Sequence, residues 1–282
     1  MKKQILFLIN KQGISNLDFL GYLRKIKADE TDVLYIHTAL NFGVPNRELK
    51  KHQLLECLYE VFEELKISTL IFPTYTFSFC NGSDYDVNSS KSSMGLLNEY
   101  ARINTNSLRS VDPLMSNVLI GKHKEYVQNL GKSSVGENST FDLLHKSNHR
   151  VKFLFFGPKI GDCFTYMHYM EERQKVPYRY DRKFTGQIND GVSTYTDTYD
   201  LFVRYSNVLP GGGSYIYENM MVEKGICTRI KAGNTYISVI EEKPAYECYT
   251  DLLEQSPNFY ITEVFNLDEA TTEFHAHNMI AL

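Results

Sequence analysis

The chain has 282 residues, of which 43% are hydrophobic and 13% aromatic, and its formal net charge is -4 at pH 7. A chain of this length and composition buries a large core, which excludes a disordered or repetitive protein. Both signs of charge are spread along the sequence without a block of Lys and Arg. That distribution argues against nucleic acid and a membrane surface as partners.

The cysteines are five in number and far apart, which indicates reduced thiols in a cytoplasmic protein. The sequence has no CxxC pair, the pattern that would indicate a zinc site or a redox couple. The run Ile5 to Ile9 follows two lysines, but it is too short for a signal peptide and no small-residue cleavage site follows it, so it predicts a first strand. No stretch approaches the roughly 20 apolar residues of a membrane span.

The N-terminal half alternates strands and helices. A helix is expected to begin at Ser15 or Asn16, a buried strand to cover Val33 to Ile36, and a second helix to run from Asn46 through Leu65. Another strand covers Thr69 to Phe72. The alternation favours a parallel sheet, although neither a dinucleotide fingerprint nor a P-loop is present.

A long polar segment from Asn81 to Ser93 follows the second of these strands, and loops of this length are often functional. It closes on Met94-Gly95 and a helix through Tyr100. In the next turn, Arg109 and Ser110 have side chains suited to the anionic oxygens of a phosphate. The alternative is an ordinary exposed arginine in a turn.

The stretch Asp162 to Glu172 follows a buried strand, Val151 to Phe156, and predicts the start of a helix. On that helix Thr165, His168 and Glu171 share nearly one face with Glu172, because residues three and four apart are neighbours. A carboxylate that orients an imidazole makes a general base. The alternative is a structural histidine beside a solvated acidic pair.

The C-terminal third has a β pattern. Val192 to Arg204 and Thr228 to Ile240 alternate, the second around the turn signal Gly233-Asn234, and predict hairpins. Gly211 to Gly213 predicts a flexible connection. In the tail, His275 and His277 are two apart, a spacing that does not indicate a metal site.

Together the elements predict one α/β domain over residues 1–282. A mixed, largely parallel sheet with flanking helices is expected over residues 1–184, and a β-rich C-terminal lobe over residues 185–282.

Five short motifs occur in an order that resembles the aminoglycoside 3-N-acetyltransferase family over roughly residues 15 to 262. They are His37-Thr38-Ala39-Leu40, Phe72-Pro73-Thr74-Tyr75-Thr76, Met94-Gly95, Arg109-Ser110-x-Asp112-Pro113-x-x-Ser116 and Thr165-x-x-His168-x-x-Glu171. The resemblance implies the α/β fold of that family and an acyl-CoA-dependent N-acyltransferase that uses acetyl-CoA and no metal. The sequence departs from the family pattern at two places. Thr38-Ala39 stand where the family has two serines, and Asp112 stands where it has a histidine.

The resemblance also implies roles for individual residues. His168 is expected to be the catalytic base, with Glu171 and Thr165 beside it. CoA is expected to contact His37, Thr38, Ala39, Leu40, Pro73, Thr76, Met94, Arg109, Ser110 and Ser116. The oxyanion of the intermediate would be stabilised by N-H groups after Ile36 or by the Thr165 hydroxyl, and the sequence does not choose.

The acceptor is expected to be a small amino sugar. The segment Pro177 to Gly186 joins aromatic rings to Arg179, Arg182 and Lys183, a mixture that favours a nucleotide-linked amino sugar, as in family variants found with surface-polysaccharide genes. The expected substrate contacts are Tyr75, Asp112, Tyr178, Arg179 and Tyr180, and a homodimer is possible. An aminoglycoside acceptor is the alternative, and an ordinary strand edge would explain the aromatic residues without any ligand.

Two other classes fit the sequence less well. A metal hydrolase would use His168 with Glu171 and Glu172, but this spacing is not HExxH. A carbohydrate-binding protein without activity would keep the aromatic segment and have no use for a CoA loop.

Overall fold

The computed structural model describes residues 1–273. Its helices are α1 (Asn16–Lys25), α2 (Lys51–Glu63), α3 (Leu96–Asn104), α4 (Thr140–Lys146), α5 (Ile160–Cys163), α6 (Tyr166–Arg173), α7 (Gly213–Glu223) and α8 (Glu242–Gln255). Its strands are β1 (Ile5–Ile9), β2 (Gln12–Ser15), β3 (Val33–Thr38), β4 (Val44–Pro45), β5 (Thr69–Pro73), β6 (Tyr85–Asp86), β7 (Leu108–Arg109), β8 (Asn117–Gly121), β9 (Val151–Phe156), β10 (Arg179–Asn189), β11 (Thr194–Arg204), β12 (Cys227–Ala232) and β13 (Thr235–Glu241).

The first helix begins where the sequence predicts. Ser15 is its N-cap, and its side chain accepts from the backbone N-H of Asp18, while the Asp18 carboxylate accepts from the backbone N-H of Ser15 at 2.8 Å. This reciprocal capping satisfies donors that the helix itself leaves open.

The central sheet has seven strands in the order β12-β13-β9-β3-β5-β8-β7. β3 pairs in parallel with both β5 and β9, and the outer strands pair antiparallel. The carboxyl ends of the three parallel strands therefore lie at one edge of the sheet. The loops after Thr38, Pro73 and Phe156 meet there, which is where open α/β sheets bind ligands.

The two faces of the sheet belong to two cores. In β3, Leu34 and Ile36 pack in the core with α1, α2 and α3, whereas Val33 and Tyr35 pack in the core with α4, α6 and α8. This division follows from the period of two along a strand. The aromatic residue Phe156 at the end of β9 lies 5.2 Å from the rings of both Phe19 and Phe62.

A second sheet positions the start of β10, where Arg179 lies. β10 and β11 form a long antiparallel hairpin, to which β6 adds in parallel. Arg179 opens β10 opposite Arg204 at the end of β11. Because α6 ends only a few residues earlier, the start of the hairpin packs against that helix.

The α/β class and the flanking helices are confirmed. In the C-terminal part, β13 pairs with β9 and carries β12 into the central sheet, and the division of the chain at residue 184 stays a prediction. Within the central sheet, the parallel pairing is confined to β3, β5 and β9.

Two smaller expectations also change. Helix α2 begins at Lys51 rather than Asn46, because Val44–Pro45 pair with β1. Gly211 to Gly213 are not a free connection: a Cβ on Gly213 would lie 2.4 Å from the carbonyl oxygen of Phe259. His275 and His277 lie outside the described residues. Within residues 1–273 no helix has the length and apolar character needed to cross a bilayer.

Candidate active site

The site is built by the turn that follows β9. Gly157 has a φ of +105°, and a Cβ there would lie 1.9 Å from the carbonyl oxygen of Ala39, so only glycine lets the two loops approach. The short helix α5 follows, and then Thr165 begins α6 as its N-cap. This path directs one face of α6 toward the interior and places His168 there.

His168 and Glu171 form the expected pair. Nδ1 of His168 lies 3.0 Å from Oε2 of Glu171, and both side chains are buried. The hydroxyl of Tyr178 donates to the other carboxylate oxygen, Oε1, at 2.8 Å. Glu172 points elsewhere and pairs with Lys175.

Arg179 completes this buried cluster. Its Nη2 lies 2.9 Å from Nδ1 of His168, and its Nη1 donates to the carbonyl of Phe202 at 3.1 Å. Its Nε lies 2.9 Å from Oε2 of Glu171, an ion pair whose angle is too poor for a hydrogen bond. Arg179 was expected to be a substrate contact, and in this structure its charge is paired with Glu171.

Burial and charge set the protonation of the cluster. Burial, reinforced by the positive charge of Arg179, lowers the pKa of His168 to about 4, although Glu171 opposes this shift. Burial alone would raise the pKa of Glu171, but Arg179 and the hydrogen bonds from His168 and Tyr178 lower it. The pair at neutral pH is therefore a neutral imidazole beside a carboxylate.

A cavity of about 290 Å³ opens beside His168. Its wall includes Asp162, Thr165, Gly211, Tyr215 and Tyr260. The hydroxyl of Tyr215 donates to Oδ1 of Asp162 at 2.5 Å. This hydrogen bond, together with burial, raises the pKa of Tyr215 to about 12. Asp162 thus brings a carboxylate into the cavity wall within six residues of the base.

The hydroxyl of Thr165 belongs to a chain of hydrogen bonds whose direction can be assigned. Tyr35 donates to Oδ1 of Asn117 at 2.6 Å, so its hydroxyl must accept from Tyr75 at 2.7 Å. Tyr75 has then used its one hydrogen and must accept from Oγ1 of Thr165 at 3.0 Å. Thr165 is left with lone pairs rather than a hydrogen for the cavity, which argues against it as an oxyanion donor.

Side-chain hydrogen bonds join the loops that are predicted to contact CoA. Oγ1 of Thr38 donates to the side-chain oxygen of Asn98, whose amide donates to the carbonyl of Pro73 at 2.8 Å. Thr38, Ala39, Leu40, Thr76 and Met94 are half-buried, and Pro73 is buried.

His37 is buried. Its ring stacks on Phe155 with centroids 5.1 Å apart, and burial lowers its pKa to about 3. Its Nε2 has no hydrogen-bond partner within the described residues.

The Arg109 to Ser116 segment lies beneath the surface. Nη2 of Arg109 donates to the carbonyl of Thr74 at 2.7 Å, and Nη1 donates to the carbonyl of Ser90 at 2.6 Å. Oγ of Ser110 accepts from the backbone N-H of Asn117, and Oγ of Ser116 donates to the carbonyl of Thr74. These side chains hold the neighbouring loops together rather than facing solvent.

Asp112 likewise has internal partners. Its Oδ1 accepts from the backbone N-H groups of Leu114 and Met115 and from the hydroxyl of Ser134. Burial raises the pKa of this carboxyl group despite these hydrogen bonds. The substitution that sets the chain apart from the family pattern is thus a buried turn residue in this structure.

The structure brings part of the predicted site together. Tyr75 and Thr165 form one buried hydrogen-bonded pair, and His168, Glu171, Tyr178 and Arg179 form a second buried cluster. Tyr180 instead packs on Tyr205, with ring centroids 4.7 Å apart. The sequence reasoning missed Asp162 and Tyr215, although Asp162 stands at the start of the stretch it singled out. No sequence signal distinguished Tyr35 or Asn117 from ordinary strand residues.

The family model of aminoglycoside 3-N-acetyltransferases matches residues 39–254, most of the chain. The chain belongs to this family. It is accordingly an acetyltransferase, and the resemblance carried by the five motifs is confirmed. A search of curated proteins found no match.

Solved structures share the fold at low sequence identity. AAC-IIIb, in a binary complex with CoASH, is 14% identical, with 85% of this chain and 96% of that chain covered and a TM-score of 0.71. YokD from Bacillus subtilis is 14% identical, with coverage of 86% and 94% and a TM-score of 0.70. AAC-VIa bound to sisomicin is 15% identical, with coverage of 85% and 97% and a TM-score of 0.69.

Proposed function

We propose that this acetyltransferase moves an acetyl group from acetyl-CoA to an amino group of an amino sugar, with His168 as the general base. The observation that carries the proposal is the contact between Nδ1 of His168 and the Glu171 carboxylate at the wall of the cavity. With the hydrogen on Nδ1, the lone pair of Nε2 is available to a substrate. Among the described residues nothing hydrogen-bonds to that Nε2.

The reaction needs few groups. The acceptor amine passes a proton to Nε2 of His168 and attacks the thioester carbonyl carbon, so that a C–N bond forms and the C–S bond breaks. The imidazolium of His168 then returns this proton to the departing CoA thiolate, which regenerates the base. Because Thr165 presents only lone pairs, it suits an amine N-H of the acceptor. Backbone N-H groups of the loop after β3 remain the proposed oxyanion donors.

CoA is proposed to lie along the accessible members of the predicted set. Thr38 to Leu40, Thr76 and Met94 are half-buried at the carboxyl edge of the sheet. The solved structure of AAC-IIIb holds CoASH on the same fold. In this proposal Arg109, Ser110 and Ser116 contribute by holding those loops in place.

The acceptor class is proposed from charge. Asp162 gives the cavity a carboxylate that suits the ammonium group of any amino sugar. A nucleotide-linked amino sugar would place its phosphates toward the hairpin, where Lys183 is exposed. An aminoglycoside is the second candidate, because Asp162 favours a polycation and because AAC-VIa, a structural neighbour, binds sisomicin.

A thiol-release assay with acetyl-CoA tests the proposal. The acceptors are a UDP-linked amino sugar, sisomicin and the corresponding sugar without an amine. Acetylation of either amine substrate supports the proposal, and the ratio of their kcat/KM values assigns the acceptor class. No thiol release with any amino sugar would overturn it.

The Asp162→Asn variant tests the cavity. Asp162 is exposed, so loss of its charge should raise KM by only roughly twofold to fivefold, with a smaller change in kcat. Asp181→Asn is the matched control, because Asp181 is an exposed carboxylate on β10 outside the cavity wall. Equal KM values for the two variants would count against Asp162 as an acceptor contact.

A further inference from the structure

Nδ1 of His168 has two neighbours that make opposite demands. Oε2 of Glu171 lies 3.0 Å away and Nη2 of Arg179 lies 2.9 Å away. A carboxylate only accepts hydrogen bonds and a guanidinium only donates them. Nδ1 therefore either carries a hydrogen and donates to Glu171, or lacks one and accepts from Arg179.

The choice decides whether the histidine is a base. A hydrogen on Nδ1 leaves Nε2 unprotonated toward the substrate, whereas an acceptor Nδ1 puts the hydrogen on Nε2. The hydrogen bond from Nδ1 to a carboxylate is charge-assisted and is the stronger of the two. Arg179 has another acceptor in the Phe202 carbonyl and an ionic contact with Glu171, so its charge is satisfied without Nδ1.

The charges around the ring favour a neutral imidazole. Glu171 on α6 is the anion, Tyr178 donates to it as a neutral phenol, and Arg179 on β10 and Arg204 on β11 supply two cations. Tyr260 also lines the cavity, and its pKa is raised by burial. Two guanidinium groups against one carboxylate oppose the addition of a second proton to the ring.

We propose that Arg179 is a positioning residue that holds the Glu171 carboxylate against Nδ1 and keeps Nε2 of His168 unprotonated, so that the base is ready at neutral pH. The proposal rests on the proposed role of His168 as the base. It assigns Arg179 a task that differs from substrate binding, because its side chain is buried against α6.

The test is nitrogen NMR of protein labelled with ¹⁵N-histidine, in which the His168 signals are assigned by their loss in His168→Gln. We expect a protonated Nδ1 and an unprotonated Nε2 from pH 8 to about 5. The imidazole of His168 should titrate with a pKa of about 4. Arg179→Gln should raise this pKa by roughly 1 to 3, the usual effect of a neighbouring charge. The acidic limb of kcat/KM should move to higher pH with it.

Two further variants keep the result interpretable. Arg179→Lys retains the charge and should keep the His168 pKa low. Arg173→Gln removes an exposed charge from α6, the helix that carries His168, and should leave both the tautomer and the pKa unchanged. An Nε2-protonated wild type, or an Arg179→Gln protein with the wild-type pKa and acidic limb, would overturn the proposal.

Arg179→Gln leaves the buried Glu171 carboxylate without its cation and so threatens folding. The double variant Arg179→Gln with Glu171→Gln removes both charges and should contain the Nε2-protonated tautomer. The wild-type tautomer in that variant would also overturn the proposal. The NMR signals do not depend on turnover, so full activity of His168→Gln would refute the proposed base without deciding the role of Arg179.

Discussion

Two buried arginines in this chain do different work. Arg109 is 7% exposed and Arg179 is 6% exposed. The guanidinium of Arg109 donates to the neutral carbonyls of Thr74 and Ser90, whereas that of Arg179 contacts a carboxylate and an imidazole. The first therefore fixes backbone geometry, and the second changes the protonation of its neighbours. A buried arginine influences chemistry only when its partners can titrate.

The largest expected effect is a loss of turnover, and it concerns His168 in the cluster around Arg179. His168→Gln should lower kcat by roughly 10² to 10⁴, the usual contribution of a positioned general base, with little change in CoA affinity. Glu171→Gln should cost less, because the imidazole remains. The free enzyme should show an acidic limb in kcat/KM below the 6.5 of an ordinary histidine, toward the lowered pKa of about 4.

Steady-state kinetics from about pH 3.5 to 8, a range that includes the lowered pKa of about 4, provide the measurement. A His168→Gln protein with near-normal turnover, or with the wild-type acidic limb, would show that the catalytic base lies elsewhere.

Arg109 should affect stability rather than chemistry. Arg109→Met removes the side-chain donor of the Ser90 carbonyl and one of two side-chain donors of the Thr74 carbonyl, and a hydrogen bond from a charged group contributes about 1.5 to 3 kcal/mol. We expect the free energy of unfolding to fall by roughly 2 to 4 kcal/mol in urea titrations, with the pH limb of the remaining activity unchanged. The opposite result, normal stability with weakened CoA binding, would restore the sequence-based expectation that Arg109 binds a phosphate.

Acid should weaken the fold through two histidines with different surroundings. The folded-state pKa of His37 is about 3 and that of His168 is about 4, both lowered first by burial. In the unfolded chain each is near 6.5, so the unfolded state binds more protons below that pH. Their contributions are complete above pH 6.5 and diminish as the pH falls toward the folded-state values.

Each histidine should contribute a loss of about 2 kcal/mol between pH 7 and pH 5. Urea unfolding at the two pH values measures the sum, and His37→Gln should remove about half of the pH dependence. Stability that stays constant from pH 6.5 to 5 would contradict the buried, neutral state of both rings.

The sequence predicted the site best where one element carries it. His168 and Glu171 are three residues apart, so a single helix fixes their contact, and helical spacing was enough to pair them. Arg179 reaches the same carboxylate from a strand of the second sheet, and that relation depends on how β10 packs against α6. Its chemistry was visible in the sequence, but its partner was not.

The same reasoning explains the fold. Local patterns predicted β3, β5, β9 and α6, because apolar periodicity reports burial within one element. The joining of β13 to β9 depends on contacts between segments about 80 residues apart. Alternation marked β12 and β13 as a hairpin and could not report which sheet receives it.

The smallest expected effect concerns Thr165, whose hydroxyl connects the cavity to Tyr75 in the core. If Thr165 donates inward, as the direction of the chain through Tyr35 to Asn117 requires, it stabilises no oxyanion. Thr165→Ser keeps the hydroxyl and should retain nearly full kcat. Thr165→Val removes the donor that Tyr75 accepts and an acceptor for the amine. A net hydrogen bond contributes about 1 kcal/mol, so kcat/KM should fall by only about fivefold to tenfold, chiefly through KM. An oxyanion donor would behave differently, because its loss lowers kcat by roughly 10² to 10³. A fall of that size in Thr165→Val, with Thr165→Ser intact, would reverse the assigned direction of the chain and place the Thr165 hydrogen in the cavity.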